Sequence, residues 1–288
     1  MVNHPAALAG EIGVFTADQD AEFDAFYREY GFATLRGILD EELITDAARE
    51  CARAQAGVVD GGLPERYGTV RFLEQDGAAK AETFANYVQF ITEVSPATRE
   101  AILNPAIVGA MKRLLGLDCW LLEHRRSGVV YQDARPGRES GYTRIGWHSD
   151  WQSAPAQPMW PSTAFTLHLD ATSPANGFLR VVPGSHRWAT PAPYENVNGA
   201  RVPEGAASAG GYTDDPPPWP MPLGFDKVPG EIAVYLERGD VLLHDAYLWH
   251  SAARATDDDT MRRHVRGSWF TGEVSDEGIE EFVKNAAR

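Results

Sequence analysis

The stretch Gly146-Trp147-His148-Ser149-Asp150-Trp151 decides how this chain is read. Run as a strand, it projects residues i and i+2 from one face, so His148 and Asp150 enter one space as a chelating pair. A third ligand must come from elsewhere. His250, in Leu248-Trp249-His250-Ser251, is the best candidate, 100 residues beyond Asp150. Two histidines and one carboxylate on a single face of an octahedral metal leave three positions open, the donor set of non-heme Fe(II) oxygenases. Taken alone, the His-x-Asp spacing recurs by chance, and such a pair is often a plain hydrogen bond. The residues downstream strengthen it. Arg263 and Arg266 follow His250 by thirteen and sixteen positions. A dicarboxylate cosubstrate chelating iron at one end needs a cation at the other, and a bidentate guanidinium suits that role better than a lysine.

Outward from this segment, the chain after Gly116 alternates short β-branched and aromatic runs with Gly, Pro, Asn and Asp. Strands are expected at 119–124, 129–133, 145–150, 164–170, 178–182, 233–236, 241–244, 247–251 and 264–270. That many short strands imply a sandwich or barrel with helices packed outside. The first third reads helical. Phe23, Phe26, Tyr27 and Tyr30 share a face over 18–30, with Gly31 as the stop. A second helix is expected over 40–57, with Leu43, Ile44, Ala47 and Cys51 inward, and an extended connection over 32–39 lies between them. Residues 95–116 suggest a helical pair broken near Pro105, where proline denies the backbone a donor. Asp276 to Ala287 reads as a closing helix. The segment 190–230, with nine prolines and no periodicity, is either a disordered insert or a lid.

Composition narrows the function. Lys+Arg 26 against Asp+Glu 41 gives a net charge of −15, which repels nucleic acid and anionic membranes. A small anionic ligand remains compatible, because a few buried arginines reverse the field inside a pocket. No apolar run approaches the eighteen residues of a membrane span, and residues 1–15 lack the basic segment of a signal peptide. Cys51 and Cys119 are too few and too isolated for a disulfide framework or a zinc site, so both read as core residues and the expected location is cytoplasmic.

The sequence resembles the phytanoyl-CoA dioxygenase (PhyH) superfamily. The resemblance rests on Trp147-His148-Ser149-Asp150, on Asn176-Gly177-Phe178-Leu179 leading to Pro183-Gly184-Ser185-His186-Arg187, and on Gly239-Asp240 ahead of His250-Ser251 and the following arginine. An opening of Phe26-Tyr27-Arg28-Glu29-Tyr30-Gly31-Phe32 with Leu35-Arg36-Gly37 adds to it. The Trp-His-Ser-Asp run is nearest to the ectoine hydroxylase branch, although residues 151–158 depart from that branch and ectoine itself is not the expected substrate.

The resemblance implies a mainly β protein with flanking helices, a double-stranded β-helix (jelly roll, cupin-like) core. It implies one domain over 1–288: a mainly helical part at 1–116 and the core at 117–275, with 190–230 as its lid. It also implies Fe(II) as cofactor and 2-oxoglutarate and O2 as cosubstrates. By position, His148, Asp150 and His250 are the implied iron ligands and Arg263 the clamp on the distal carboxylate of 2-oxoglutarate, with Thr166, Ser251 and Gln132 assisting. The usual gap from the distal His to the arginine is shorter than thirteen, so Arg262, on the opposite strand face, is a rival. Asp150 also counts against a halogenating variant, in which a small residue makes room for chloride.

Simpler roles stand beside these. His244 is either a fourth donor or a neighbour of the site, His168 a core histidine, His186 part of a turn, and Arg266 a peripheral charge. Seven of the eight tryptophans, from Trp147 to Trp269, either fill the β core or line a cavity for an apolar or cationic substrate. The expected activity is hydroxylation of a C–H bond of a small molecule. The same chemistry ending in desaturation, cyclisation, epimerisation or endoperoxide formation is an alternative, as is a non-catalytic metal-binding jelly roll.

Overall fold

The computed structural model describes residues 12–68, 71–73, 82–134, 146–153, 160–189, 194–197, 200–203, 211–213, 215–219, 221, 224–253, 255–257 and 260–272. In chain order the strands are β1 (Val14–Phe15), β2 (Phe32–Leu35), β3 (Arg71–Leu73), β4 (Glu82–Phe84), β5 (Tyr87–Val88), β6 (Trp120–Leu121), β7 (Val130–Ala134) and β8 (Ser162–His168). They continue as β9 (Leu179–Val181), β10 (Tyr194–Val197), β11 (Ala200–Pro203), β12 (Ile232–Val234), β13 (Val241–Asp245), β14 (His250–Ala252) and β15 (Arg262–Phe270). The helices are α1 (Asp20–Tyr30), α2 (Glu41–Val59), α3 (Pro96–Ile102), α4 (Pro105–Leu115) and the single turn α5 (Asp150–Ser153).

An eight-stranded sheet runs β1-β2-β13-β8-β15-β7-β5, with β6 also paired to β15. A three-stranded sheet, β12-β9-β14, forms the opposing layer. The architecture is the expected jelly roll: mostly β, with helices packed on the outside of the larger sheet.

Period-2 alternation sorts the residues. Leu167, Val265, Trp269, Val241 and Leu243 turn outward and meet Phe23 and Tyr27 of α1, Ile44 and Cys51 of α2, and Ile107 and Met111 of α4 in one buried cluster. The intervening positions point between the sheets and bring Gln132, Thr166, His168, Arg262, His264 and Arg266 there.

The helical third matches its expected boundaries closely. Gly31 ends α1 in the left-handed conformation (φ 81°), with its N–H donated to the Tyr27 carbonyl. Ser95 and Asn104 cap α3 and α4 through their side chains, with proline at the start of each. Helix α2 continues two residues beyond Gly57, since its apolar face carries Val58 into the core. The expected closing helix lies outside the described residues, as do 190–193, 198, 199, 204–210, 214, 220, 222 and 223 of the 190–230 segment, whose described part holds the hairpin β10–β11.

Candidate active site

The expectation that 145–150 is one strand needs correcting. His148 forms only an isolated bridge to His250, through paired backbone bonds of 3.0 and 2.9 Å, and Asp150 opens α5. Convergence arises differently. The bridge sets the two imidazoles side by side, with ring centroids 4.3 Å apart, and the helical turn brings the carboxylate back toward them. Ser149 stabilises that turn by accepting the Gln152 N–H at 3.2 Å. Trp147 is fully buried, donates its indole N–H to the Asp226 carbonyl, and lies under the guanidinium of Arg180.

His148, Asp150 and His250 place one donor atom each within 4.8 Å of one another. Nδ1 of His148 donates to the Gly146 carbonyl (2.8 Å) and Nδ1 of His250 to the Leu248 carbonyl (2.9 Å). A carbonyl only accepts, so both rings are fixed as Nδ1–H tautomers. That leaves the Nε2 lone pairs, which lie 4.0 and 3.8 Å from Oδ1 of Asp150, for a metal. Burial pushes His250 down to about 4, keeping it neutral. Burial alone would raise the Asp150 carboxyl, but His250, His244, His148 and Arg266 around it bring it below its ordinary value. The donor set therefore fits a divalent iron. His244, 4.0 Å from the other carboxylate oxygen, stands beside the set.

The three residues open onto a cavity of about 430 Å³ between the sheets, in the range of small-molecule sites. Its lining includes Gln132, Thr166, His168, His244, Arg262, His264 and Arg266. Arg263 is not part of it. Arg263 turns to the opposite face of β15, where Nε and Nη2 form a bidentate pair with Asp170 (2.8 and 2.7 Å). Pleat alternation makes Arg262 the inward arginine, as the rival reading held.

Arg262 is buried, and burial pushes it down to about 10. Its Nε, Nδ1 of His168 and Nδ1 of His264 are all buried without a protein hydrogen-bond partner. Leaving each buried group unsatisfied costs about 1–3 kcal/mol. A cluster of such groups around a cation marks the place of a polar, anionic ligand. Burial, first of all, lowers His168 to about 3 and His264 well below its ordinary value, so both rings are neutral.

Thr166 lies in the cavity between Leu242 and Arg266 on the neighbouring strands, and Gln132 accepts from Arg266 Nε at 3.1 Å. Ser251, the residue between the lining positions His250 and Ala252, is fully buried and is not part of the lining. The role expected of Arg266 as a peripheral charge is also revised, since it lines the cavity. Sequence reading missed His264. Its signal was available, because 262, 264 and 266 share one face of the strand. Among the tryptophans only Trp160 lines this cavity. Trp147, Trp249 and Trp269 are core residues.

The shared motifs acquire structural reasons. Ser185 of the Pro-Gly-Ser-His turn accepts the Trp249 N–H at 2.8 Å, one residue before the distal ligand, and His186 donates to the Arg28 carbonyl. Asp240 takes a bidentate pair from Arg36. Gly177 has φ 86°, and a Cβ there would lie 2.7 Å from the Ala253 carbonyl oxygen and 3.0 Å from Nη1 of Arg262.

Compared with known proteins, residues 27–264 match the family described as phytanoyl-CoA dioxygenase (PhyH). The chain belongs to that family. That family takes its description from a dioxygenase. A curated relative, the ectoine dioxygenase of Nocardia farcinica (strain IFM 10152), is 27% identical over 167 residues, 56% of this chain and 49% of that protein. The match thus spans about half the relative's length.

Similar solved structures include EctD from S. alaskensis with bound Fe (TM-score 0.61, 16% identity, 94% of this chain and 80% of that one). The carbocyclase SnoK from nogalamycin biosynthesis is another (0.60, 22%, 90% and 87%), as is AviO1 from Streptomyces viridochromogenes Tue57 (0.60, 16%, 89% and 96%). These likenesses establish the shared fold. Among the described residues no helix is long and apolar enough to cross a membrane.

Proposed function

We propose that this family member oxidises a C–H bond of a small molecule, in the first instance by hydroxylation, with release of succinate and CO2. The observation that carries the reading is the pairing of two sites in one cavity. One is the His148-Asp150-His250 donor set, whose two rings are Nδ1–H tautomers and so carry their lone pairs on Nε2. The other is the buried Arg262-His168-His264 cluster, in which Arg262 Nε and Nδ1 of both histidines lack a protein partner. A ferrous ion held at the first site would supply the redox chemistry that splits O2 between 2-oxoglutarate and the substrate.

The chain's own residues set the conditions. Arg262 receives the distal carboxylate of 2-oxoglutarate, and the two neutral histidines and the Thr166 hydroxyl add hydrogen bonds along its length. Arg266, held by Gln132, lies between that end and Asp150. Leu122, Trp160 and Phe270 form the apolar wall that excludes water. Tyr212 donates a 2.8 Å hydrogen bond to Asp245, the neighbour of the lining residue His244.

A second outcome of the same chemistry, ring closure or epimerisation, is favoured by the carbocyclase SnoK and the epimerase SnoN among the similar structures. Product mass separates the two: a gain of one oxygen marks hydroxylation, and an unchanged or hydrogen-depleted skeleton marks the other. The class is tested by oxygen-dependent conversion of 2-oxoglutarate to succinate. Wild type converts it and Asp150→Ala does not. An equal rate in the variant refutes the site.

A further inference from the structure

Both histidines of the donor set follow a fully buried tryptophan, in Trp147-His148 and Trp249-His250. The two indoles share one small apolar cluster with Val182 and Val228. Ser185 places Trp249 by accepting its N–H. Trp147 is placed by other contacts. Its backbone N–H donates to the Gly224 carbonyl at 3.0 Å and its indole N–H to the Asp226 carbonyl at 2.8 Å. Its ring centre lies 4.7 Å from the guanidinium carbon of Arg180.

Arg180 interrupts the apolar run Phe178-Leu179-Arg180-Val181-Val182. Phe178 and Leu179 line the cavity, whereas the buried Arg180 side chain reaches instead to residues 225–231. Nε and Nη2 form a bidentate pair with Glu231 at 3.0 and 2.5 Å. Nη1 donates to the Phe225 carbonyl at 2.8 Å and Nη2 also to the Asp226 carbonyl at 2.9 Å. Glu231 in turn accepts the Val228 N–H at 2.8 Å. Residues 224–227 are exposed, yet the carbonyls of 224, 225 and 226 are all spent on Trp147 or Arg180.

The main chain of Arg180 belongs to the other histidine. In β9 it lies opposite Ser251 of β14, and Val181 lies opposite His250. One residue therefore spans both ligand-bearing segments, with its backbone beside His250 and its side chain on the tryptophan before His148. Desolvation offsets much of the attraction within a buried ion pair, so the pair with Glu231 fixes geometry more than it adds stability. A guanidinium over an indole face is drawn to it, and more strongly where water is excluded.

Resting on the donor set of the function proposed above, we infer that Arg180 is a positioning residue for the metal centre. Clamped by Glu231 and by the carbonyls of 225 and 226, it holds Trp147, and through Trp147 it keeps the His148 ring at the separation from His250 that a shared ion requires. It does so without lining the cavity.

The test is Co(II) titration of the metal-free full-length chain, reading affinity and the visible ligand-field bands, with circular dichroism establishing that each variant is folded. Arg180→Met keeps an unbranched side chain beside Trp147 but removes the charge and its hydrogen bonds. It should bind Co(II) roughly tenfold or more weakly, the loss expected when support behind a metal ligand is removed, and its bands should shift. Arg263→Gln is the control, since it breaks a comparable arginine–carboxylate pair, with Asp170, away from the donor set. It should lower the urea midpoint and leave affinity and bands as in wild type. If Arg180→Met does not fold, Trp147→Phe, which loses the bond to Asp226, carries the test with the same expected loss. Wild-type affinity and bands in the folded variant, with only the urea midpoint lowered, overturn the inference, as does an equal change in Arg263→Gln. Failure of wild type itself to bind Co(II) would strike the donor set, and this inference with it.

Discussion

At the scale of single residues, the account turns on two adjacent arginines with opposite faces. Arg262 is buried in the cavity, and Arg263 is spent on Asp170. Arg262→Gln should raise the KM for 2-oxoglutarate by roughly a hundredfold, of the order of the ~2–3 kcal/mol carried by a charge-assisted pair. Arg263→Gln should leave that KM unchanged and lower stability. Steady-state succinate assays with urea melts separate the two, and a reversed pattern would return the clamp to Arg263. Gly177→Ala should raise the same KM, because its Cβ would crowd Nη1 of Arg262. The His-x-Asp and distal His were legible in sequence because chelation constrains residue type and spacing together. The family likeness put the clamp at Arg263 although the shorter gap favoured Arg262, and which of the two faces the cavity is set by the pleat of β15. Asp170, the partner that holds Arg263 outward, lies 93 residues away in sequence.

At the scale of elements, the site is assembled by connections rather than by strands. The bridge between His148 and His250, the one-turn α5 and the Ser185 contact to Trp249 fix the donor set. Removing the Ser185 hydroxyl leaves the buried Trp249 N–H unsatisfied, so Ser185→Ala should cost about 1–3 kcal/mol in urea unfolding and weaken Fe(II) binding in parallel. Full stability with unchanged metal affinity would show the turn to be incidental. Helices were legible almost to the residue, since apolar periodicity and the capping residues Ser95, Asn104 and Gly31 agree. The metal segment was misread as a strand because its regularity depends on a partner a hundred residues away, and local pattern carries no information about that partner.

For the whole molecule, the two-layer β core and its helical cover form a fold whose inner face holds several neutral histidines. Burial lowers His168 to about 3 and His186 to about 4, below the ~6.5 of an unfolded chain. Between those values the unfolded state binds more protons. Stability is therefore fully present above pH ~6.5 and falls as pH drops through the window, by up to about 1.4 kcal/mol per pH unit for each such histidine. Urea midpoints at pH 7.5 and 5.5 should show this loss, and His186→Gln, which can still donate to the Arg28 carbonyl, should flatten it. An identical slope would show that His186 carries none of the dependence. That Arg262 and Arg266 line a cavity inside an acidic chain is a product of folding and became visible only once β7, β8 and β15 lay side by side.

The most direct measurement is anomalous diffraction at the iron edge from crystals grown anaerobically with Fe(II). The account predicts one peak per chain within bonding distance of Nε2 of His148, Nε2 of His250 and a carboxylate oxygen of Asp150. A peak at the His168–His264 pair instead, or none in fully loaded protein, would contradict it.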